Sequence, residues 1–198
     1  MLSTKNNYNK LPWKLLSIEA ALVVFSVLLA LGLNSWRQSQ SHERLAERAL
    51  RGIIEEVESN CTRIKNVQAY HQAVANGNRK PGGIQIGLLR NQSWDAAKTI
   101  GAAPHLDYEI VASIEKIYAN QSDHRSISKS YVTALFTVIL QEEQMEQGNA
   151  KTPAGEQAVI RELLRLQKTL LSEYQHFATL VEKHYNQSIE TSNLCKES

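Results

Sequence analysis

The longest run of apolar positions lies near the start of the chain. Residues 15–33 read LLSIEAALVVFSVLLALGL, 19 residues with Glu19 as the one charge. A bilayer core takes ~20 such residues in helical form. Trp13 and Trp36 bracket the run. Tryptophan favours both headgroup levels, and the separation of the two corresponds to roughly 34 Å of helix at ~1.5 Å per residue. Pro12 stands where the helix would begin, a position that tolerates a missing N–H. The pattern predicts an uncleaved transmembrane helix over 15–35. The rival reading is a signal peptide cut near Ala30-Leu31-Gly32. The apolar run is longer than the usual ~7–15-residue signal core, and the helical pattern continues past it.

Beyond Trp36 no proline occurs before residue 75, and Gly52 is the one glycine. Leu50, Ile54, Val57, Cys61, Ile64, Gln68, His71 and Ala75 follow steps of four and three, a heptad seam that turns polar at Gln68 and His71. The spacing predicts one long helix, with His71 satisfied or half-exposed near its end. Residues 76–83, NGNRKPGG, form a breaker cluster and a loop. Residues 84–89 are short and apolar, equally compatible with a strand or a helical turn. Ser93-Trp94-Asp95 opens a short helix with Ser93 as N-cap, stopped by Gly101 and Pro104. Residues 107–121 are amphipathic, with Ile110, Ile114, Ile117 and Tyr118 on one face. The polar link 122–130 leaves open whether the helix breaks before Leu135, Val138 and Ile139. Gly148-Asn149-Ala150 interrupts the pattern, and Thr152-Pro153 suits the start of a last helix. That helix should bury Ile160, Leu163, Leu164, Leu170, Leu171, Tyr174, Phe177 and Val181.

The predicted fold is all-α: a transmembrane helix continuing into an antiparallel helical bundle. Its expected parts are a cytoplasmic tail (1–14), the transmembrane helix (15–35), the bundle (36–192) and a flexible tail (193–198). The core is expected where Ile54, Val57, Cys61 and Ile64 meet Leu164, Leu171 and Phe177. A parallel coiled-coil dimer is the alternative use of the same seam.

Charge changes the picture only near the membrane segment. The formal net charge is +2. Lys5, Lys10 and Lys14 precede the apolar run without an acid, Glu19 lies inside it, and the remaining basic and acidic residues balance. A neutral domain lacks the basic face that phosphate neutralisation needs, so no nucleic-acid partner is expected. The acid-free tail favours a cytoplasmic N-terminus and a periplasmic domain, against an almost equal count at Arg37, Arg44, Arg48 and Arg51. Glu19 is costly inside a bilayer unless it meets a partner or reaches the interface near Lys14. Ser26 and Ala30 make a small-xxx-small pair that permits close helix contact. Glu19, Ser26 and Ala30 are therefore the candidate intramembrane contact, and Trp13 and Trp36 the interface anchors. The expected partners are the membrane and either a second copy or another membrane protein. Cys61 and Cys195 have no metal-type spacing. A bridge between positions so far apart needs close approach and is not expected.

Two stretches carry a resemblance. One is Ile18-Glu19-Ala20-Ala21-Leu22-Val23-Val24 leading to Leu31-Gly32-Leu33-Asn34-Ser35-Trp36-Arg37. The other is Ser93-Trp94-Asp95 through Ile100-Gly101, followed by Ile114 to Tyr118. Together they resemble a widespread bacterial family of uncharacterised single-pass membrane proteins. Its members pair an "IGE-x-x-LVV…ALxIxxW" anchor with a helical domain. The resemblance covers the anchor and about half the domain, with Ser17-Ile18-Glu19 standing where many members have Ile-Gly-Glu. It implies the architecture and a bacterial inner membrane, and it brings no activity.

No HExxH, P-loop, GxSxG or Rossmann fingerprint is present. Glu173-x-x-His176 is a single Glu-x-x-His, whereas di-iron bundles need two; an exposed polar turn is expected there. Glu142, Glu143 and Glu146 read as a solvated face, and Trp94, Tyr118 and Tyr131 as core. No catalytic residue, metal or cofactor is expected. The sequence reads as a membrane-anchored interaction or sensory module without chemistry of its own. The alternatives are an accessory subunit of a transporter or envelope complex, and an enzyme with a bundle-core metal site.

Overall fold

A computed structural model describes residues 13–78, 85–142, 154–185 and Cys195, with the side chains of 14, 15 and 137–142 left undescribed. The described residues form four α-helices and a 3-10 turn, with no strand. Helix α1 is Trp13–Ala75, α2 is Ser93–Thr99, α3 is Tyr108–Glu142 and α4 is Ala154–Tyr185; the 3-10 turn is Ala103–His105. The all-α reading holds. Val138, Ile139, the break at 148–150, the Thr152-Pro153 start and the acids Glu143 and Glu146 lie outside the described residues or side chains.

The chain divides into two units, Met1–Arg44 and Leu45–Ser198. In the first, α1 carries an 18-residue window of mean hydropathy 2.4 with none of it buried. By length and composition that helix is able to cross a membrane.

The second unit is built on three heptad seams. On α1 the buried positions of the central row are Ala46, Leu50, Ile53, Val57, Asn60, Ile64, Val67, His71 and Val74. On α3 they are Ile110, Ile114, Ile117, Gln121, His124, Ser128, Tyr131 and Leu135. On α4 they are Glu156, Ile160, Leu163, Gln167, Leu170, Tyr174, Phe177 and Val181. Each series advances by alternating steps of three and four, the pattern of helices packed along a shared seam. Helix α4 runs antiparallel to α1, since Asn60 bonds Tyr174 while His71 bonds Gln167. It runs antiparallel to α3 as well, since Asn120 bonds Glu173 while Tyr131 bonds Glu156.

Two expectations shift. The buried stripe of α1 keeps Ile54, Cys61 and Ala75, as expected, and adds Ile53, Asn60, Val67 and Val74, whereas Gln68 is exposed. A helix contacting two neighbours buries a wider stripe than a two-helix seam does. On α4, Leu164 and Leu171 are only partly buried. The polar link 122–130 does not interrupt α3. It is polar because Gln121, His124 and Ser128 occupy seam positions and supply a buried polar layer.

Candidate functional site

Residues 85–92 have no helix or strand hydrogen-bonding pattern. They run back along α1 as an extended strap whose backbone groups are met by α1 side chains. The Gln85 carbonyl lies 3.0 Å from His71 Nε2. Asn60 donates from Nδ2 to the Arg90 carbonyl at 2.7 Å and accepts the Arg90 N–H at Oδ1 at 2.8 Å. Between these, a Cβ on Gly87 would lie 3.1 Å from the Arg63 carbonyl oxygen and 3.2 Å from Val67 Cγ2, so a larger residue would push the strap and α1 apart by a few tenths of an ångström. The lengths agree: positions 56 to 71 rise ~22 Å as helix at ~1.5 Å per residue. Roughly seven extended residues cover about the same distance at ~3.3 Å each. The strap is neither of the two conformations expected for 84–89; residue 84 lies outside the described residues.

The strap ends at Glu56, which is buried on α1. Its Oε1 accepts the Tyr118 hydroxyl at 2.6 Å. Its Oε2 accepts the Gln92 N–H at 3.0 Å, the Ser93 N–H at 3.1 Å and the Ser93 hydroxyl at 3.0 Å. These are the free N–H groups at the start of α2. Ser93 is thus not the N-cap; Gln92 holds that position without a side-chain cap bond, and a carboxylate from α1 does the capping. Tyr118 also accepts the Trp94 N–H at 3.2 Å, and Trp94 Nε1 donates to Glu115 at 2.8 Å. Burial first, then the bond to Glu56, drives the Tyr118 hydroxyl far above its ordinary pKa, so it serves as a fixed donor. Trp94, Tyr118 and Tyr131 are core, as expected.

The middle of the bundle holds a layer of His71, His124 and Gln167, all without solvent exposure. Gln167 Nε2 lies 3.0 Å from His71 Nδ1 and 3.3 Å from His124 Nε2. Both amide hydrogens are used if both ring nitrogens accept. His71 Nε2–H then donates to the Gln85 carbonyl, and His124 Nδ1–H to Ser128 Oγ at 3.5 Å. His71 is therefore satisfied, one of the two states expected of it, and it is fully buried.

Burial, with a smaller contribution from His71, lowers the His124 pKa to about 4. Burial also lowers that of His71, against its bonds to Gln167 and Gln85. Unfolded, both titrate near ~6.5. The folded state binds fewer protons in between, so stability is full above about 6.5 and declines as pH falls towards about 4. His124 accounts for on the order of 3 kcal/mol of that decline. Urea melts at pH 7.5 and 4.5 should show the loss, and His124→Gln should shrink it. An equal pH dependence in the variant would contradict the assignment.

Sites read from the sequence fall as follows. Glu19, Ser26 and Ala30 are exposed on α1 in the first unit, with Ser26 Oγ donating to the Leu22 carbonyl at 2.8 Å. Trp13 and Trp36 are exposed at 82% and 63%. Glu173 and His176 do not converge. His176 is exposed, whereas Glu173 is buried and bonded to Asn120 and Lys116, so the turn is only half of the exposed one expected. No family model, curated protein or solved structure matches this chain. Asp107, Glu109 and His184 form a surface group with metal-ligand spacing. Asp107 Oδ1 accepts the Glu109 N–H at 2.8 Å, and Lys183 Nζ donates to Glu109 at 2.8 Å. Lys183 first, then His184, holds the Glu109 carboxyl below its ordinary range. Cap and ion pair account for the group.

Cys61 and Cys195 form a disulfide with Cα atoms 5.8 Å apart, and both are buried. This overturns the expectation that they stay unbridged, and it tethers Cys195 where the sequence suggested a flexible tail. Cys61 flanks the α1 seam, and the ten positions from Tyr185 to Cys195 reach up to roughly 33 Å.

Proposed function

We propose that the chain is a membrane-anchored helical module, interacting or sensory, with no chemistry of its own. In this reading the N-terminus is cytoplasmic and the packed unit lies in the periplasm of a bacterial cell. The observation that carries it is the continuity of α1, a single helix of 63 residues from the apolar segment into the bundle. The disulfide supports the compartment, since such bridges persist in oxidising surroundings and are rare in the cytosol. The chain should stay with membranes through a high-salt wash and retain its apolar segment. Release into the wash, or a mature form that begins near Leu33, would contradict it.

The accessory-subunit reading has support in the first unit, where Glu19, Ser26, Ala30 and the surrounding apolar side chains are all exposed. A partner helix, from a second copy or another membrane protein, would cover Glu19 at the smallest desolvation cost. The bundle-core metal reading draws no comparable support. Among the described residues, the His and carboxylate group with ligand spacing lies on the surface.

A further inference from the structure

Between α1, the strap, α2 and α3 lies a cleft of about 620 Å³. That is within the ~300–1,000 Å³ range of small-molecule sites. Three elements each contribute an arginine to its lining: Arg63 from α1, Arg90 from the strap and Arg125 from α3. Three like charges round one small cleft repel one another, so a compensating charge should accompany them. Among the described residues no carboxylate pairs with any of the three. Glu56 also lines the cleft, and its carboxylate, bonded only to neutral donors at Tyr118, Gln92 and Ser93, offsets one of the three charges and leaves the lining with a net +2.

Two of the guanidiniums are also positioned in advance. Arg125 donates to the Leu89 carbonyl at 3.0 Å, and Arg63 to the Leu88 carbonyl at 3.4 Å and Ser59 Oγ at 3.5 Å. A guanidinium carries five donors, so each keeps several for another acceptor. Arg90 uses only its backbone in the strap, and its side chain is exposed. Leu88 and Ala96 add apolar wall, enough to face a short carbon skeleton.

We propose that this cleft binds a small molecule carrying phosphate or carboxylate groups, through Arg63, Arg90 and Arg125. Planar guanidiniums match both oxyanions with paired hydrogen bonds. The α2 N–H groups are already consumed by Glu56, so recognition falls to the arginines. The inference goes beyond anchoring, and its test reads binding rather than membrane retention, so the two readings fail separately.

The test uses the full chain in nanodiscs of neutral phosphatidylcholine, titrated calorimetrically with inorganic pyrophosphate and with citrate at constant ionic strength. Saturable binding of at least one is expected. Arg90→Gln should weaken it about tenfold or more and leave the anion-free melting temperature unchanged, because that side chain supports nothing in the fold. A phosphate group has two sources. Displacement of bound pyrophosphate by soluble glycerophosphoglycerol, the phosphatidylglycerol headgroup, would support the site with that headgroup as its occupant. No displacement would support it with free anions. No saturable binding of either probe up to about 10 mM, or binding by Arg90→Gln equal to the parent, would overturn the proposal.

Discussion

Ile64→Asp should unfold the packed unit under conditions where the parent chain is folded. Ile64 is fully buried in the larger core cluster, with Val57 of α1, Ile117 of α3 and Leu170 and Tyr174 of α4. It stands on the seam whichever way the α1 heptad is counted. The substitution removes an aliphatic burial worth ~1.5–3 kcal/mol. It also places a carboxylate where nothing pairs with it, a further cost of several kcal/mol. The sum is on the order of a domain's whole stability, ~5–15 kcal/mol. Glu58→Ala, on an exposed position of the same helix, should change stability by less than about 0.5 kcal/mol. Within one chain α3 and α4 already cover the seam, so melting should not depend on protein concentration. A dimer seam would make it do so. Unchanged unfolding of Ile64→Asp would contradict the packing described above.

Cys61→Ser should cost about 2–5 kcal/mol. The bridge joins residues 134 positions apart, and a long closed loop removes the most freedom from the unfolded chain. Cys195→Ser should cost the same, and the double variant no more than either single one, because all three remove one interaction. Reductant should bring the parent to the same level in urea melts and leave the variants where they are. A parent indifferent to reductant would contradict the role given to the bridge.

How much was legible follows from what each residue answers to. The apolar segment and the long α1 could be read because every position in them obeys one local rule, helical periodicity. The α1 seam was legible at Ile54, Val57, Cys61, Ile64, His71 and Ala75, all buried, and failed at Gln68, which is exposed. Ile53 and Ile54 are both buried because two partner helices cover a wider stripe than one heptad seam. The continuity of α3 was hidden because a buried polar layer looks, in one dimension, like a solvated link. Gln121, His124 and Ser128 become core only when α4 brings Tyr174 to Gln121 and Gln167 to His124, which also meets Ser128. Glu56 carries no sequence signal that separates it from the other acids of α1, such as Glu55 and Glu58. A hint lay in α2, whose Ser93 had to be either a cap or a residue capped from elsewhere. The strap and the disulfide are long-range pairings, and local spacing carries no record of them. The three arginines of the cleft come from three separate elements, so nothing in their spacing draws them together.

In the topology proposed above, one helix carries a packed, disulfide-bonded unit out of the cytoplasm. The most direct test of that topology is labelling of Asn78→Cys by a membrane-impermeant thiol reagent on intact cells. Asn78 is exposed just beyond α1, and Cys61 and Cys195 are engaged in the bridge, so the introduced thiol reports alone. The account predicts labelling from outside without lysis, once the outer membrane admits the reagent. Protection in intact cells with reactivity only after lysis would contradict it, placing the bundle in the cytoplasm.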